Sequence, residues 1–295
     1  MNIILLKGGL GNQLFIIAAY LFLNKKLKSK EIYLEKKIGF LLDYKYKRFY
    51  ELGNLPLFIR ETNFYQKLYC FTIIIFQKTI PIFLRLLRIE YINDKFLLGE
   101  NFVDVINKRN KLKFIDGYFQ DFSIVSEVKT ELLEIIKNNI SKPKRKIFEN
   151  LNERIKREED SVALCIRFYE ETKSSRLHSH HQKPSKKYHE FNKIISLFER
   201  KLKAPYFFIF VQEENSFTKN LSFNSPFEYI THEKGFIGSW ERMNAQSICK
   251  NHIFNNSTFY YWGAFISNEY YINKMIYVSD NFKYQNIYNN EWKKF

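Results

Sequence analysis

The order in which short apolar runs and helix-patterned stretches follow one another constrains the fold of this chain more than any other feature. Residues 2 to 6, Asn-Ile-Ile-Leu-Leu, form a run of strand length, and after a glycine turn Gln13 to Leu27 is largely apolar at helical length. That stretch runs into lysines, which suit the negative end of a helix dipole. Lys113 to Ile115 can form a strand before the turn Asp116-Gly117, and Val125 to Asn139 carries helical spacing with acids early. Beyond residue 160 the pattern restarts. Ser161 to Ile166 reads as a strand, Tyr188 to Leu202 as a helix and Tyr206 to Val211 as a strand. A helix near Trp240 to Cys249, the strand His252 to Phe254 and a helix opening at Ser257 complete the series. Apolar strands alternating with helices predict an α/β protein whose parallel sheets are covered on both faces. Two such βα halves flanking a cleft is the expected architecture.

A chain of 295 residues accommodates one large domain or two of ordinary size. The basic, proline-bearing run Ser141 to Lys146 and the charged stretch Glu153 to Asp160 mark the break between halves, with a solvated helix as the alternative reading of the charged stretch. The expected domains are residues 1–155 and 156–275, with 276–295 as a tail packing back on the fold.

Composition narrows the function classes. A formal charge of +16 fits an anionic partner, which can be nucleic acid, a lipid surface or a phosphorylated ligand, or else a composition rich in Lys, Asn, Ile, Phe and Tyr that arises without selection for binding. The lysines are spread through the chain instead of forming a stripe with interleaved aromatics, which argues against nucleic acid. Cys70, Cys165 and Cys249 are far apart and form no C-x-x-C pair, so neither a disulfide framework nor a zinc site is expected. The opening MNIILLKGGLGNQ has too short an apolar run for a secretory signal, and a cytoplasmic protein is expected. The segment Leu68 to Leu87 is apolar and aromatic but broken by Gln77, Lys78 and Pro81. It reads as a core helix with a proline break, or as an amphipathic element lying on a membrane surface.

Three strings carry chemistry. Gly8, Gly9 and Gly11 lie between the first strand and the first helix, where a backbone without Cβ atoms admits a ligand closely, and Asn12 and Gln13 open the helix with amide side chains. The spacing is not that of a dinucleotide-binding G-x-G-x-x-G, and tight turns also use glycine for geometry alone. In the second string, Val162 to Glu171, an apolar strand ends abruptly in a cation and two carboxylates. Arg167 has the fork geometry to grip a diphosphate and offset charge on a departing nucleotide, and Glu170 or Glu171 is placed to take a proton from an attacking hydroxyl. A surface ion pair at the strand end is the competing reading. In the third, Asn256, Ser257 and Thr258 precede an aromatic helix as capping residues do, and their hydroxyls and first-turn N–H groups can cradle a phosphate.

Together these strings resemble glycosyltransferase family 11, the α-1,2-fucosyltransferases. The family's G-G-L-G-N-Q-L-F stands unchanged at Gly8 to Phe15, its N-S-T-F-x-x-W-G-A at Asn256 to Ala264, and Gly117-Tyr118-Phe119-Gln120 is similar to its G-Y-[FW]-Q. The resemblance runs from about residue 3 to residue 266. It implies a GT-B-like fold of two Rossmann-like domains, an N-terminal acceptor-side one and a C-terminal donor-binding one, facing a cleft. It also implies a GDP-fucose donor, inversion by a single displacement onto a glycan hydroxyl, and no metal, in keeping with the lack of a D-x-D pair. By the same resemblance Arg167 falls on the arginine that binds the donor phosphate, and Ser257, Thr258 and Phe259 fall on the donor-binding loop. Asn12 falls on the asparagine near the reacting sugar. Gly9, Gly11, Gln13 and Asn256 complete the expected donor-binding set. Sugar-nucleotide donor and oligosaccharide acceptor are the expected partners, the acceptor lipid-linked, with the protein peripheral at the inner membrane.

The chain departs from the family at two places. The pattern H-x-R-R-x-D reads Cys165-Ile-Arg167-Phe168-Tyr-Glu170, and a strand end usually written F-S-D-D places Val211 and Gln212 at the serine and first aspartate. Glu213 is left as the nearest carboxylate for guanine. These replacements imply altered donor or acceptor preference, or a homologue that binds sugar nucleotide or glycan without transferring it. The run Arg176 to Pro184, with three of the six histidines but no acid or cysteine at ligand spacing, reads as an acceptor-side loop.

Overall fold

A computed structural model describes residues 1–27, 31–53, 55–56, 58–79, 89–93, 103–104, 112–140, 145–168, 186–272, 274–282 and 284–295. The chain divides into two compact units, Met1–Ile136 and Lys137–Phe295. The division falls just before the basic run at 141–146, ahead of the break expected at 155–156. The charged stretch that suggested the later break lies inside the second unit, Glu153 to Arg157 in its first helix and Asp160 at the start of its first strand.

The first unit holds a four-stranded sheet in the order β2-β1-β4-β3, every neighbouring pair parallel. Its strands are β1 (Asn2–Leu5), β2 (Ile32–Glu35), β3 (Ile89–Asn93) and β4 (Leu112–Asp116). Helix α1 (Leu10–Lys26) follows β1 and is buried from Leu10 to Leu21 apart from Asn12. An enclosed helix needs no polar stripe, so its sequence is apolar on every side. It begins three residues before the expected Gln13, with Gly9 as N-cap. Two further helices are α2 (Ile38–Leu41) and α3 (Phe64–Thr79). The stretch read as one helix over 125–139 is two, α4 (Phe122–Glu127) and α5 (Lys129–Asn139), interrupted at Val128. The first starts at Asp121, whose carboxylate accepts the Ser123 N–H at 2.8 Å.

The second unit opens with α6 (Lys146–Arg157) and holds a six-stranded sheet in the order β7-β6-β5-β8-β9-β10, again parallel throughout. The strands are β5 (Asp160–Cys165), β6 (Pro205–Phe210), β7 (Phe227–Ile230), β8 (Asn251–Phe254), β9 (Ile276–Val278) and β10 (Lys293–Lys294). Residues 276–295, expected as a tail, supply its last two strands. The helices are α7 (Tyr188–Lys201), α8 (Ser216–Lys219), α9 (Ser239–Ile248) and α10 (Thr258–Tyr270). Val162, Leu164 and Ile166 pack with Phe191, Ile195 and Phe198 of α7 on one face of the sheet. Ala163 and Cys165, also buried, alternate to the other face, so the central strand is apolar on both sides.

His252 of β8 is 1% exposed, and its Nε2 donates to the Cys249 carbonyl at 3.0 Å. Burial holds the imidazole down at about 3, with the Cys249 carbonyl opposing that shift. An unfolded chain protonates the same ring near 6.5, so only the unfolded state takes up this proton between the two values. The contribution to stability is therefore complete above pH 6.5 and lost as pH falls toward 3, at about 1.4 kcal/mol per unit. Between pH 7 and pH 5 the wild-type chain should lose about 2 kcal/mol more than His252→Gln, whose amide can still reach the Cys249 carbonyl. Denaturant midpoints of both proteins at the two pH values check this.

Candidate functional site

The winding of the second sheet singles out one place on its edge. The chain runs outward from β5 through β6 to β7, then returns to β8 beside β5 and runs outward the other way through β9 and β10. The strands that follow β5 and β8 lie on opposite sides of this pair, so their carboxyl ends mark the switch point at which open parallel sheets bind ligands. Arg167 lies just past the end of β5 and Asn256 to Phe259 just past the end of β8. Glu213 follows β6, the strand on the other side of β5. The structure thus brings the donor-binding residues expected in this half of the chain to one edge.

Asn255 ties that edge together, although neither composition nor motif singled it out. It is fully buried; its Oδ1 accepts the Arg167 N–H at 3.0 Å and its Nδ2 donates to the Arg167 carbonyl at 2.9 Å. This paired amide contact fixes the backbone that carries the guanidinium, while the Asn255 N–H donates to the Cys165 carbonyl at 3.3 Å. Gln212, at the end of β6, accepts the Phe168 N–H at 3.2 Å. The Tyr260 hydroxyl reaches the carbonyls of Ile166 at 3.4 Å and Phe210 at 3.2 Å. The buried Arg242 guanidinium donates to the Val211 and Phe236 carbonyls at 3.2 and 3.1 Å. A lone arginine next to Glu241 on a polar-looking helix carries no sequence signal for such a position.

Ser257 is the N-cap of α10 and is buried, but its hydroxyl makes no capping bond. The first-turn N–H groups are therefore not taken by the cap side chain, in contrast to the capping expected from the sequence. Asn256 is exposed, and Thr258 and Phe259 are half-buried. Partial positive charge at the start of a 13-residue helix, with the backbone of Arg167 held at the same sheet edge by Asn255, makes this edge chemically suited to an anion.

Of the three family positions that changed around Arg167, the two within the described residues, Cys165 and Phe168, face inward. Cys165 is buried, and desolvation pushes its thiol far up, with the Arg242 charge opposing. Phe168 packs into the α7-side core and meets the Phe217 ring at 5.5 Å. Glu170 and Glu171, the candidate bases, and the histidine-bearing run 176–184 lie outside the described residues.

The glycine string forms a second group, in the first unit. β1 and β4 are the central strands there, and the turns leaving their carboxyl ends meet. Gln120 Nε2 donates to Asn12 Oδ1 at 3.0 Å, joining G-G-L-G-N-Q-L-F to G-Y-F-Q. Gly8 has φ +80°, and a Cβ there would lie 3.1 Å from the Tyr118 ring and from the Asn12 side chain, so glycine is required for both conformation and space. Gln13 does not point outward as expected. It is fully buried, its Nε2 donating to the Gly8 and Phe49 carbonyls, both at 2.8 Å, and its Oε1 accepting the Glu51 N–H at 3.0 Å. Both amide hydrogens are engaged, so this side chain has no donor left for a ligand and instead pins segment 49–51 to the turn. Glu51 in turn accepts the Leu10 N–H at 3.1 Å, placing a carboxylate at the start of α1 where the glycines Gly9 and Gly11 suggested a phosphate.

Set beside known proteins, the chain is matched over residues 1–295 by the sequence model of Glycosyl transferase family 11. A comparison with curated proteins finds no match.

Proposed function

A chain matched over that whole span belongs to glycosyl transferase family 11 and is a glycosyltransferase acting between a sugar-nucleotide donor and a glycan acceptor, and from that premise we propose that it moves L-fucose from GDP-fucose to a glycan hydroxyl. The product is an α-1,2 linkage, on a galactoside of a bacterial surface polysaccharide such as the O-antigen of lipopolysaccharide. The single observation that supports this most is Arg167, locked by Asn255 at the switch point of a doubly wound sheet beside the uncapped start of α10.

In this reading the second unit binds the donor and the first serves the acceptor side. The Arg167 fork meets the diphosphate, and the first turn of α10 with Ser257 and Thr258 supports it through N–H and hydroxyl groups. Phe259 flanks the nucleotide and Glu213 accepts from guanine. The acceptor oxygen attacks the anomeric carbon from the face opposite the diphosphate, the carbon–oxygen bond to phosphate breaks, and GDP departs with the electron pair. Glu170 takes the hydroxyl proton, and Asn12 orients the sugar. A guanidinium and helix N–H groups carry the leaving-group charge, so the reading assigns no metal. The enzyme works in the cytoplasm at the inner membrane, on a lipid-linked acceptor.

Thermal shift against a panel of GDP-, UDP- and dTDP-sugars tests the donor. GDP-fucose at 100 times its Kd should stabilise the protein by about 2.7 kcal/mol, and GDP release should follow. A second reading is favoured by one observation: Cys165 and Phe168, which replace polar family residues, are core side chains. A donor-switched or transfer-incompetent homologue would answer the same panel with a different nucleotide sugar, or with binding of GDP-fucose and no GDP release.

A further inference from the structure

Exposed apolar side chains of the first unit concentrate on α3. Phe64, Tyr65, Leu68 and Phe71 are 73%, 79%, 57% and 42% exposed. At about 100° per residue, Phe64, Leu68 and Phe71 share one narrow face and Tyr65 lies on its shoulder. The opposite side is core. Cys70 and Ile73 are buried in the cluster formed with Ile3, Leu5, Ile89 and Phe114. The two sequence readings of this segment, core helix and amphipathic surface element, thus describe opposite sides of the same helix. A helix with one face in the core and water on the other ordinarily carries polar residues outside. This one carries an aromatic row. Its only charges are Lys67 and Lys78, with no acidic residue over Phe64 to Thr79. Helix α2 packs beside it, and at and beyond the end of α2 Leu41 and Tyr44 are 70% and 78% exposed, with Lys47 exposed as well.

We infer that the outward face of α3 is the contact of this protein with an anionic lipid bilayer. The aromatic and leucine side chains enter the headgroup boundary while Lys67 meets lipid phosphate. On α3 itself the large apolar side chains are accompanied by cations alone, which complements a surface that is apolar beneath and negative above, and a net charge of +16 draws the chain to it. The contact lies in the plane of the surface. At 16 residues α3 is shorter than the roughly 20 needed to span, and no helix among the described residues is long and apolar enough to cross a membrane. The inference rests on the peripheral-membrane part of the proposed function and assigns it to one element.

Co-sedimentation of the full chain with vesicles at low salt tests it, using phosphatidylcholine alone or mixed with phosphatidylglycerol. The wild-type chain should pellet with the mixed vesicles and remain in solution with phosphatidylcholine. The double variant Leu68→Glu/Phe71→Glu should lose about tenfold or more of that binding, and Phe64→Ser/Tyr65→Ser should weaken it with less disturbance to folding. Both variants should keep the wild-type thermal midpoint and nucleotide-sugar shift, which report the fold and the donor site separately. Unchanged vesicle binding in both variants would remove α3 as the contact while leaving membrane association standing. No binding by the wild-type chain would remove membrane association itself. A lipid-free dimer that the substitutions convert to monomer would overturn the inference in favour of an interface between copies.

Discussion

Arg167→Ala should lower GDP release from the sugar-nucleotide donor by about 10² to 10³-fold, the scale of losing a principal charge-stabilising group at a leaving group. The substitution removes only the side chain. The backbone contacts that hold this residue run through its N–H and carbonyl to Asn255, and both survive truncation to alanine. Folding should therefore be intact, with a thermal midpoint close to wild type and the ligand-induced shift reduced. Arg167→Lys keeps the charge but not the planar fork, so it should recover only part of the activity. Wild-type turnover in Arg167→Ala would show that the diphosphate is bound elsewhere.

Asn255→Ala should be damaging in two ways, because it acts on fold and site together. Two hydrogen bonds are lost from a fully buried position, and the Arg167 N–H and carbonyl lose the partner that spans β5 and β8. Leaving such groups unsatisfied costs about 1–3 kcal/mol each, so a loss of about 2–6 kcal/mol is expected in denaturant unfolding. The donor KM should rise as Arg167 loses its fixed backbone. Asn255→Asp separates the two effects. Its carboxylate can still accept the Arg167 N–H, but it sets an oxygen against the Arg167 carbonyl and a negative charge beside the proposed diphosphate. Donor binding should then fall further than stability does. If Asn255→Ala matched wild type in both measurements, the clamp would have no functional part.

What could be read from the chain follows a physical division. The strands anticipated from the sequence, β1, β4, β5, β6 and β8, are those with a strand neighbour on both sides. A parallel strand flanked by neighbours and covered by helices is enclosed in every direction, so it is written as an unbroken apolar run such as Val162 to Ile166. The strands not anticipated are edges, with one exception. β2 and β3 close the first sheet, and β7 and β10 close the second. β3 reads Ile-Glu-Tyr-Ile-Asn, and β10 is two lysines that count as strand only because they lie in register with Tyr277 and Val278. The exception, β9, is buried, but no helix-patterned stretch follows it, so it lacks the strand-then-helix alternation that marked the others.

The candidate site divides in the same way. Gly8 to Phe15, Arg167 and Asn256 to Ala264 were legible because chemistry and family resemblance fall on contiguous residues. Gln13 and Asn255 were not, because an amide reads the same in sequence whether it meets a ligand or a backbone. By itself the sequence determined the parallel α/β architecture, the family, and the strand ends that carry a cation and hydroxyls, since burial and backbone geometry restrict residue choice locally. Only the tertiary structure decided that Gln13 turns inward, that Glu51 occupies the start of α1, and that Asn255 locks Arg167 across two strands. Those outcomes depend on partners 36 to 88 positions away in the chain, and hydrogen bonds at such separation leave no local pattern from which they can be read.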